Sequence, residues 1–372
     1  MDGFEVFSNG PVVLGLLFEG ADPSAALIRD GRIVAFCEEE RFARQKHASG
    51  VFPIAAARYC LREAGIGIED VDYIAVGWEA RKFPADIAAF YLELWHRFGP
   101  CSKFVLNWQL NNLNRYAPSN LDAQVTHNLL KDVHPSRRPE IRYIPHHFAH
   151  ACSAFMLSGF DDAAIITADG HGEDDCTNVW VAEDGRIRHL ARWRLPFSLG
   201  WFYTKFTEWF GFQPHDGEGK LMGLAAYGTA KPELFDKVRR IIRLTGDEKV
   251  YHIEPRFFLN DFVDNLPYTR EWLDLFGSPR PRESKEPFSD YHKNLAFAVQ
   301  DALEQVGCAL TDAALEMSGK DKLCVAGGTF MNCKMNGVLA KKVGSANFFA
   351  QPAAGDNGVS RRNEFSFPLR AP

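Results

Sequence analysis

Long apolar runs are absent from this sequence. No window approaches the roughly 18 consecutive apolar residues of a membrane span, so no membrane helix is expected. The opening MDGFEVFSNG lacks the charged-then-apolar layout of a secretory leader, and the chain reads as cytoplasmic. An excess of basic charge is missing too: 42 Lys and Arg stand against 48 Asp and Glu, a formal net charge of -6. Nucleic acid is therefore not an expected partner, because binding a phosphate backbone calls for a basic face. Eight cysteines (Cys37, Cys60, Cys101, Cys152, Cys176, Cys308, Cys324 and Cys333) include no CxxC pair. In a chain of 372 residues they are expected to be reduced and mostly buried, since disulfide staples serve much smaller cores. The phosphate-loop frame GxxxxGK[ST] is also missing.

What is present is ordinary globular usage, 46% hydrophobic and 24% charged, enough for the cores of two or three domains. The stretch VVLGLLFEGADPSAALIRDGRIVAF (12–36) runs apolar, Gly/Asp/Pro break, apolar, Asp-Gly, apolar. From position 165, IITADGHGEDDCTNVWVAEDGRIRHLARW does the same. Asp-Gly between alternating apolar runs is a strong hairpin signal. Two such units point to one supersecondary unit used twice. Chance similarity of two hairpins is the alternative. A duplicated hairpin core with helices between is the layout of two lobes facing a nucleotide cleft.

The intervening segments alternate between α and β patterns. PIAAARYCLREAGI (53–66) reads as a helix ended by Gly65, and VDYIAVGW as a short buried strand. A long amphipathic helix starts at position 291 and leads into KLCVAGGTFMN, a buried strand running into glycines. The expected division is a first lobe over 1–160 with an irregular helical insert at 83–140, then a second lobe over 161–360 with a polar, Pro-rich surface excursion at 245–290. A loosely ordered tail is expected at 361–372. The aromatic part of the insert (83–118, with Tyr91, Trp95, Phe98, Phe104 and Trp108) could stack on a sugar, although core packing fits most of those rings.

In HHFAHACSAFML, His146 and His150 sit at i and i+4, one face of a helix, close enough to share a metal ion. The spacing alone also fits two structural histidines. Asp169 stands where a buried strand ends, and an unpaired carboxylate there needs a cation or several donors. Asp356, in QPAAGDNGVS, follows another strand-like run. Two His and two Asp form a mixed N/O set that suits iron, manganese or zinc. Gly-rich turns at 169–173, 326–332 and 353–358 can admit a nucleotide closely. DGEGKLMGLAAYG places Lys220 between glycines without forming a phosphate loop.

Seven ordered segments carry a resemblance: EEERFARQKH, HHFAHACSA, DGHGE, SLGWFYTKFTEWFGF, EGKLMGLAAYG, AGGTFMNCKMNG and QPAAGDNG. Together they resemble the amino-terminal domain of the O-carbamoyltransferases that decorate antibiotics and nodulation signals. That domain is similar to the tRNA threonylcarbamoyltransferase and implies an actin-like ATPase fold, two duplicated ribonuclease H-like lobes around a nucleotide and metal cleft. The resemblance implies that His146, His150, Asp169 and Asp356 hold an iron-type metal, Fe2+ or another divalent ion. It implies that Gly327, Gly328 and Gly358 frame an adenosine, with Lys220 and Asn332 as further candidates for nucleotide binding. It implies transfer of a carbamoyl group from carbamoyladenylate, made from ATP and carbamoyl phosphate in a YrdC-like domain, to the hydroxyl of a small-molecule or sugar acceptor. Ala21 stands where the family usually carries a histidine in the turn after the first strand, and Asp22 is the nearest candidate base. After GDNG the family continues through an Ala-rich helix and a further domain, whereas VSRRNEFSFPLRAP follows here. The expectation is a chain that works with a separate YrdC-like domain or is a shortened relative with reduced activity, with Asp356 on a poorly buttressed segment. Three other readings are a non-catalytic relic or partner-binding module of the same fold, a tRNA-modifying transferase, which the charge disfavours, and a sugar kinase, which leaves the HxxxH pair unexplained.

Overall fold

The computed structural model describes residues 10–18, 20–79, 117–258, 267–282 and 284–361, with isolated positions at 92 and 96. The first lobe contains β1 (Val13–Leu17), β2 (Ser24–Arg29), β3 (Arg32–Glu38), α1 (Glu40–Ala43), α2 (Ile54–Ala64), β4 (Tyr73–Val76), α3 (Pro118–Val125) and β5 (Glu140–Tyr143). Then α4 (His146–Ser158) leads to the second lobe. There β6 (Ala163–Gly172), β7 (Asp175–Glu183), β8 (Arg186–Arg194), α5 (Leu199–Trp209), α6 (Glu218–Ala225), α7 (Pro232–Arg239), β9 (Ile242–Leu244) and β10 (Tyr251–Ile253) come first. They are followed by α8 (Arg270–Phe276), α9 (Asp290–Ser318), β11 (Leu323–Ala326), α10 (Cys333–Val343), β12 (Phe348–Ala350) and a closing 3-10 turn, Asp356–Arg361.

The two large sheets have the same topology. The first runs β3-β2-β1-β4-β5 and the second β8-β7-β6-β11-β12, an antiparallel three-strand meander joined to two parallel strands. The Asp-Gly turns between the second and third strands match in φ: 52° and 70° at Asp30 and Gly31, 50° and 69° at Asp184 and Gly185. Positive φ at both central residues is the turn whose twist matches the flanking strands. The duplicated unit read from the sequence is therefore real, and the chain has the actin-like two-lobed fold.

Local rules account for the other boundaries. α2 ends where Gly65 turns left-handed (φ 66°) and returns its N–H to the carbonyls of Arg62 and Leu61. α9 starts with Ser289 accepting from the His292 N–H and ends at left-handed Gly319.

Three expectations need correction. Residues 245–290 do not simply form a surface excursion: Tyr251, Ile253, Phe257, Phe258, Trp272 and Phe276 are buried in the main core of the second lobe. The polar residues between them diluted the apolar signal. The boundary at 160 separates α4 from its packing partners, because Ala151, Ala154 and Phe155 of this helix pack with Ala163, Ile165, Trp180 and Cys324 of the second lobe. The Asp356 segment is firmly held. Val359 is buried with Val13, Leu17, Ala75 and Trp78 of the first lobe, and the Ser360 hydroxyl meets that of Ser24 at 2.9 Å. Glycines make the seat: a Cβ on Gly15 would stand 2.0 Å from the Ser360 carbonyl oxygen, and one on Gly77 2.1 Å from a Val359 methyl. The aromatic part of the insert and the tail beyond 361 lie outside the described residues. Among described positions the insert holds α3, a helical continuation and a single 3-10 turn before β5.

The described cysteines are free; Cys60, Cys152, Cys176 and Cys324 are buried, and Cys333 is exposed. No helix among the described residues is long and apolar enough to cross a membrane.

Candidate metal centre and nucleotide cleft

Helix α4 brings the two histidines to the junction of the lobes. His146 and His150 are fully buried, and their Nε2 atoms face each other at 3.2 Å. From the second lobe Asp169 Oδ2 stands 3.0 Å from His150 Nε2 and 3.7 Å from His146 Nε2. From the closing 3-10 turn Asp356 Oδ1 stands 3.4 Å from His146 Nε2 and 3.9 Å from His150 Nε2. All four ligand atoms lie within 4.8 Å of one another. Ligands on one ion at about 2.0–2.2 Å are separated by roughly 3–3.5 Å, so the spacing fits a shared cation after small adjustments. Two neutral imidazoles and two carboxylates also sum to the charge a divalent cation balances.

The surroundings orient these ligands. His146 Nδ1–H donates to the Gly77 carbonyl at 3.1 Å, which leaves the Nε2 lone pair for the centre. The Trp78 indole stacks on the same ring, centroids 4.4 Å apart. Glu173 accepts from the His146 N–H at 3.3 Å and from the Glu79 N–H at 2.8 Å, so one carboxylate fixes the start of α4 and ties it to the first lobe. Burial pushes the Glu173 carboxyl up to about 7, the nearby His146 pulling the other way. In the metal-free protein burial works against charge on His146, yet Asp169 and Asp356 hold its proton well above the usual imidazole range. Asp169 lies well below the usual carboxylate range: burial opposes this, and the two histidines overcome it.

His147 points away from the centre, as its place on the helix requires. Its Nε2–H donates to the Asp175 carbonyl at 3.1 Å, and its Nδ1 accepts from the Thr167 hydroxyl at 3.0 Å. Burial, reinforced by His146 and His150, lowers its pKa to about 3, so it stays neutral. Asp169 does not end its strand: β6 runs on to Gly172, and Asp169 sits where the register with β7 slips. That irregularity lets the carboxylate turn into the centre.

The glycines cluster around it. Gly327 has φ 102°, and a Cβ there would stand 2.1 Å from the Ala168 carbonyl oxygen. A Cβ on Gly328 would stand 2.9 Å from Asp169 Oδ1, so this turn lies directly against the carboxylate. Gly358 packs on Ala353. Asn332 and Lys220 have contacts elsewhere. Asn332 caps α10 through the Met335 N–H and exchanges two hydrogen bonds with Gln300. Lys220 is exposed, 4.0 Å from Asp216. Asp22, in the β1–β2 turn, pairs with His47 Nδ1 at 2.7 Å.

Sequence reasoning missed Gly77, Trp78, Glu173 and His47. The available signals were a Gly-Trp closing a strand, a Glu after a Gly-rich turn and the histidine that ends EEERFARQKH.

These features define a two-lobed α/β protein of the actin-like class with a His2Asp2 centre where the lobes meet. The model of the family described as "Carbamoyltransferase N-terminus" matches residues 13–361, and the chain belongs to that family. The chain is 34% identical over 354 residues to the uncharacterized protein sll1178 of Synechocystis sp., covering 93% of this chain and 55% of that protein. It is 31% identical over 341 residues to the nodulation protein NolNO of Sinorhizobium fredii, covering 91% of this chain and 45% of that protein. It thus spans about half the length of these relatives. Among solved structures, full-length HypF in its phosphate- and nucleotide-bound form matches with a TM-score of 0.50 at 12% identity, covering 95% of this chain and 54% of that one, which shows the shared fold.

Proposed function

We propose that this chain transfers a carbamoyl group from carbamoyladenylate to a hydroxyl of a small-molecule or sugar acceptor. Carbamoyladenylate would be made from ATP and carbamoyl phosphate by a YrdC-like domain outside the residues described. The observation that carries this reading is the His146, His150, Asp169 and Asp356 quartet at the lobe junction of a chain in the carbamoyltransferase family. The quartet holds a divalent cation, Fe2+ by the resemblance. When bound, such an ion supplies positive charge to donor oxygens as negative charge builds during attack on the carbamoyl carbonyl. The residues of the chain do the rest. Gly327 and Gly328 let their turn lie close against Ala168 and Asp169, and Gly358 lets the Asp356 turn fold closely. Asp169 and Asp356 retain some exposure while both imidazoles are buried, so the centre opens on its carboxylate side. Asp22 sits in a turn close enough to feel the charge of Asp356, where a base could take up the acceptor proton.

The test supplies preformed carbamoyladenylate, Fe2+ and a panel of sugar hydroxyls, and follows AMP and carbamoylated product. Product formation lost in His150→Ala and Asp169→Asn, together with loss of stoichiometric bound iron, is the expected outcome. Ala21 favours one other reading, a non-catalytic module of the same fold. That reading predicts iron binding with no AMP release from any acceptor.

A further inference from the structure

A second constellation lies beside the metal centre and bridges the lobes. His47 and Asp22 both adopt left-handed backbone, φ 62° and 54°, which non-glycine residues seldom do without a reason in the surroundings. The two residues hold one another. The Asp22 N–H donates to the His47 carbonyl at 3.2 Å, and His47 Nδ1 meets Asp22 Oδ1 at 2.7 Å. The His47 N–H donates to Glu40 Oε2 at 2.8 Å. Ionised carboxylates only accept, so the protonated ring donates from both nitrogens, Nδ1 to Asp22 and Nε2 to Asp216; when one proton leaves, the shorter contact keeps the Nδ1–H and Nε2 is left with the lone pair. Nε2 faces the second lobe, 3.3 Å from Asp216 Oδ1. Side-chain exposures of 30% for His47 and 23% for Asp22 leave the pair accessible to a solute.

The centre is adjacent. Gly20 lies against Asp356, a Cβ there standing 3.5 Å from Asp356 Oδ2. The Ser24 hydroxyl donates to the Asn357 carbonyl at 3.0 Å. The turn that carries Asp22 is thus bounded on both sides by the segment carrying a metal ligand. Asp22, Glu40 and His47 could themselves gather around a cation. A side-chain cation already serves one of these carboxylates, Arg41 pairing with Glu40 at 3.1 Å, and Lys46 pairs with Asp216 across from the ring.

We propose that His47 Nε2 is the general base of this site and that Asp22 positions it. The assignment rests on the carbamoyl-transfer reading. The acceptor hydroxyl oxygen forms a bond to the carbamoyl carbon, the bond from that carbon to the phosphate oxygen breaks, and AMP leaves with the electron pair. The hydroxyl proton passes to His47 Nε2 and then to solvent. An imidazole suits this task near neutral pH better than a carboxylate, because its basicity lies closer to the working pH.

The charged groups facing the ring are Asp22 from the β1–β2 turn, Asp216 from the segment before α6 and Lys46 beside it. Glu40 sits under its backbone, and Lys220 reaches Asp216. Burial lowers the basicity of His47, and the hydrogen bond and charge of Asp22, with help from Asp216, more than restore it. Its neutral form therefore appears above the usual imidazole value.

The experiment uses the iron-loaded full chain with preformed carbamoyladenylate, methyl glucoside as the hydroxyl acceptor and water as the alternative nucleophile. His47→Gln is expected to lower AMP release by about 10²–10⁴-fold with either nucleophile and to flatten the acid limb of the pH profile. Iron content and carbamoyladenylate binding are expected to match those of the unaltered protein. Asp22→Asn is expected to lower kcat with little change in KM and to move the acid limb to lower pH. Independent of turnover, nitrogen NMR of the His47 ring, assigned by difference from His47→Gln, is expected to show the Nδ1–H tautomer at alkaline pH. A His47→Gln rate within twofold with an unchanged profile overturns the assignment alone. Loss of iron or donor binding in that variant also overturns it, by showing a structural role. An unaltered protein that binds iron and donor but releases no AMP overturns the carbamoyl-transfer reading and the base with it.

Discussion

The two lobes share one strand order and one Asp-Gly turn, yet they use the loop after their first strand differently. In the first lobe that loop holds Asp22, at φ 54°; in the second it holds Glu173, at φ 52°. Asp22 is partly exposed and fixes a side chain, the His47 imidazole. Glu173 is buried and fixes backbone, the N–H groups of His146 and Glu79. A duplicated fold therefore places an acidic group at equivalent corners, and burial decides what it can do. Burial raises the Asp22 carboxyl and the His47 imidazole works against that, and the partly exposed carboxylate can hold the imidazole in one tautomer. A buried carboxylate is kept by donors that stabilise it, and here those donors orient the helix that carries the HxxxH pair. The cores differ too. Aliphatic side chains dominate the first, whereas Phe202, Phe206, Trp209, Phe210, Trp272 and Phe276 build the second.

The seat for the closing 3-10 turn exists on the first lobe, and filling it is the strongest way to break the comparison. Gly15→Val is expected to destabilise by about 1–3 kcal/mol or more through overpacking and to weaken iron binding, because the displaced Ser360 carbonyl belongs to the segment that carries Asp356. Chemical denaturation and iron titration of the same variant check both effects.

Glu173→Gln separates the two acidic corners. In the folded, metal-free protein the Glu173 carboxyl is raised to about 7 from an ordinary value of 4.5. The folded state thus binds the proton more tightly than the unfolded state. Its contribution is fully present below about pH 4.5 and is lost as pH rises through about 7. The variant is expected to lose that fall in stability, seen as a flatter Tm against pH curve. It is also expected to bind iron about 10–100-fold more weakly, the usual cost of removing a group that orients a ligand.

The smallest effect sharpens the likeness. Gly31→Ala and Gly185→Ala sit at matching left-handed positions with open space around each Cβ. Each is expected to cost about 1–2 kcal/mol from the backbone alone, with near-equal values measured by denaturant unfolding. Unequal costs would show that the two turns are held differently despite their matching angles.

Much of the site was legible because its signals are local. His146 and His150 share a helix face by spacing alone, and the Asp-Gly turns announce themselves in two residues. Gly65 and Gly319 end helices where the periodic pattern stops. What was missed depends on residues far apart in the chain. His47 meets Asp22 across 25 positions and Asp216 across 169. Gly15 looks like a weak spot in a strand until Ser360 arrives against it. Tyr251, Phe257, Phe258, Trp272 and Phe276 look solvent-facing when read beside their polar neighbours, yet the second lobe needs their volume.

The sequence by itself determined the duplicated α/β plan, the helix carrying the HxxxH pair and the ligand types available to a metal. Periodicity, turn chemistry and i,i+4 spacing act over a few residues and survive without the rest of the fold. Only the tertiary structure decided that Asp356 is buttressed, that Glu173 holds the start of the helix with the HxxxH pair and that Asp22 serves an imidazole. Those outcomes depend on which carboxylates become buried and which donors meet them when the two lobes close on one another, and burial is a property of the assembled molecule.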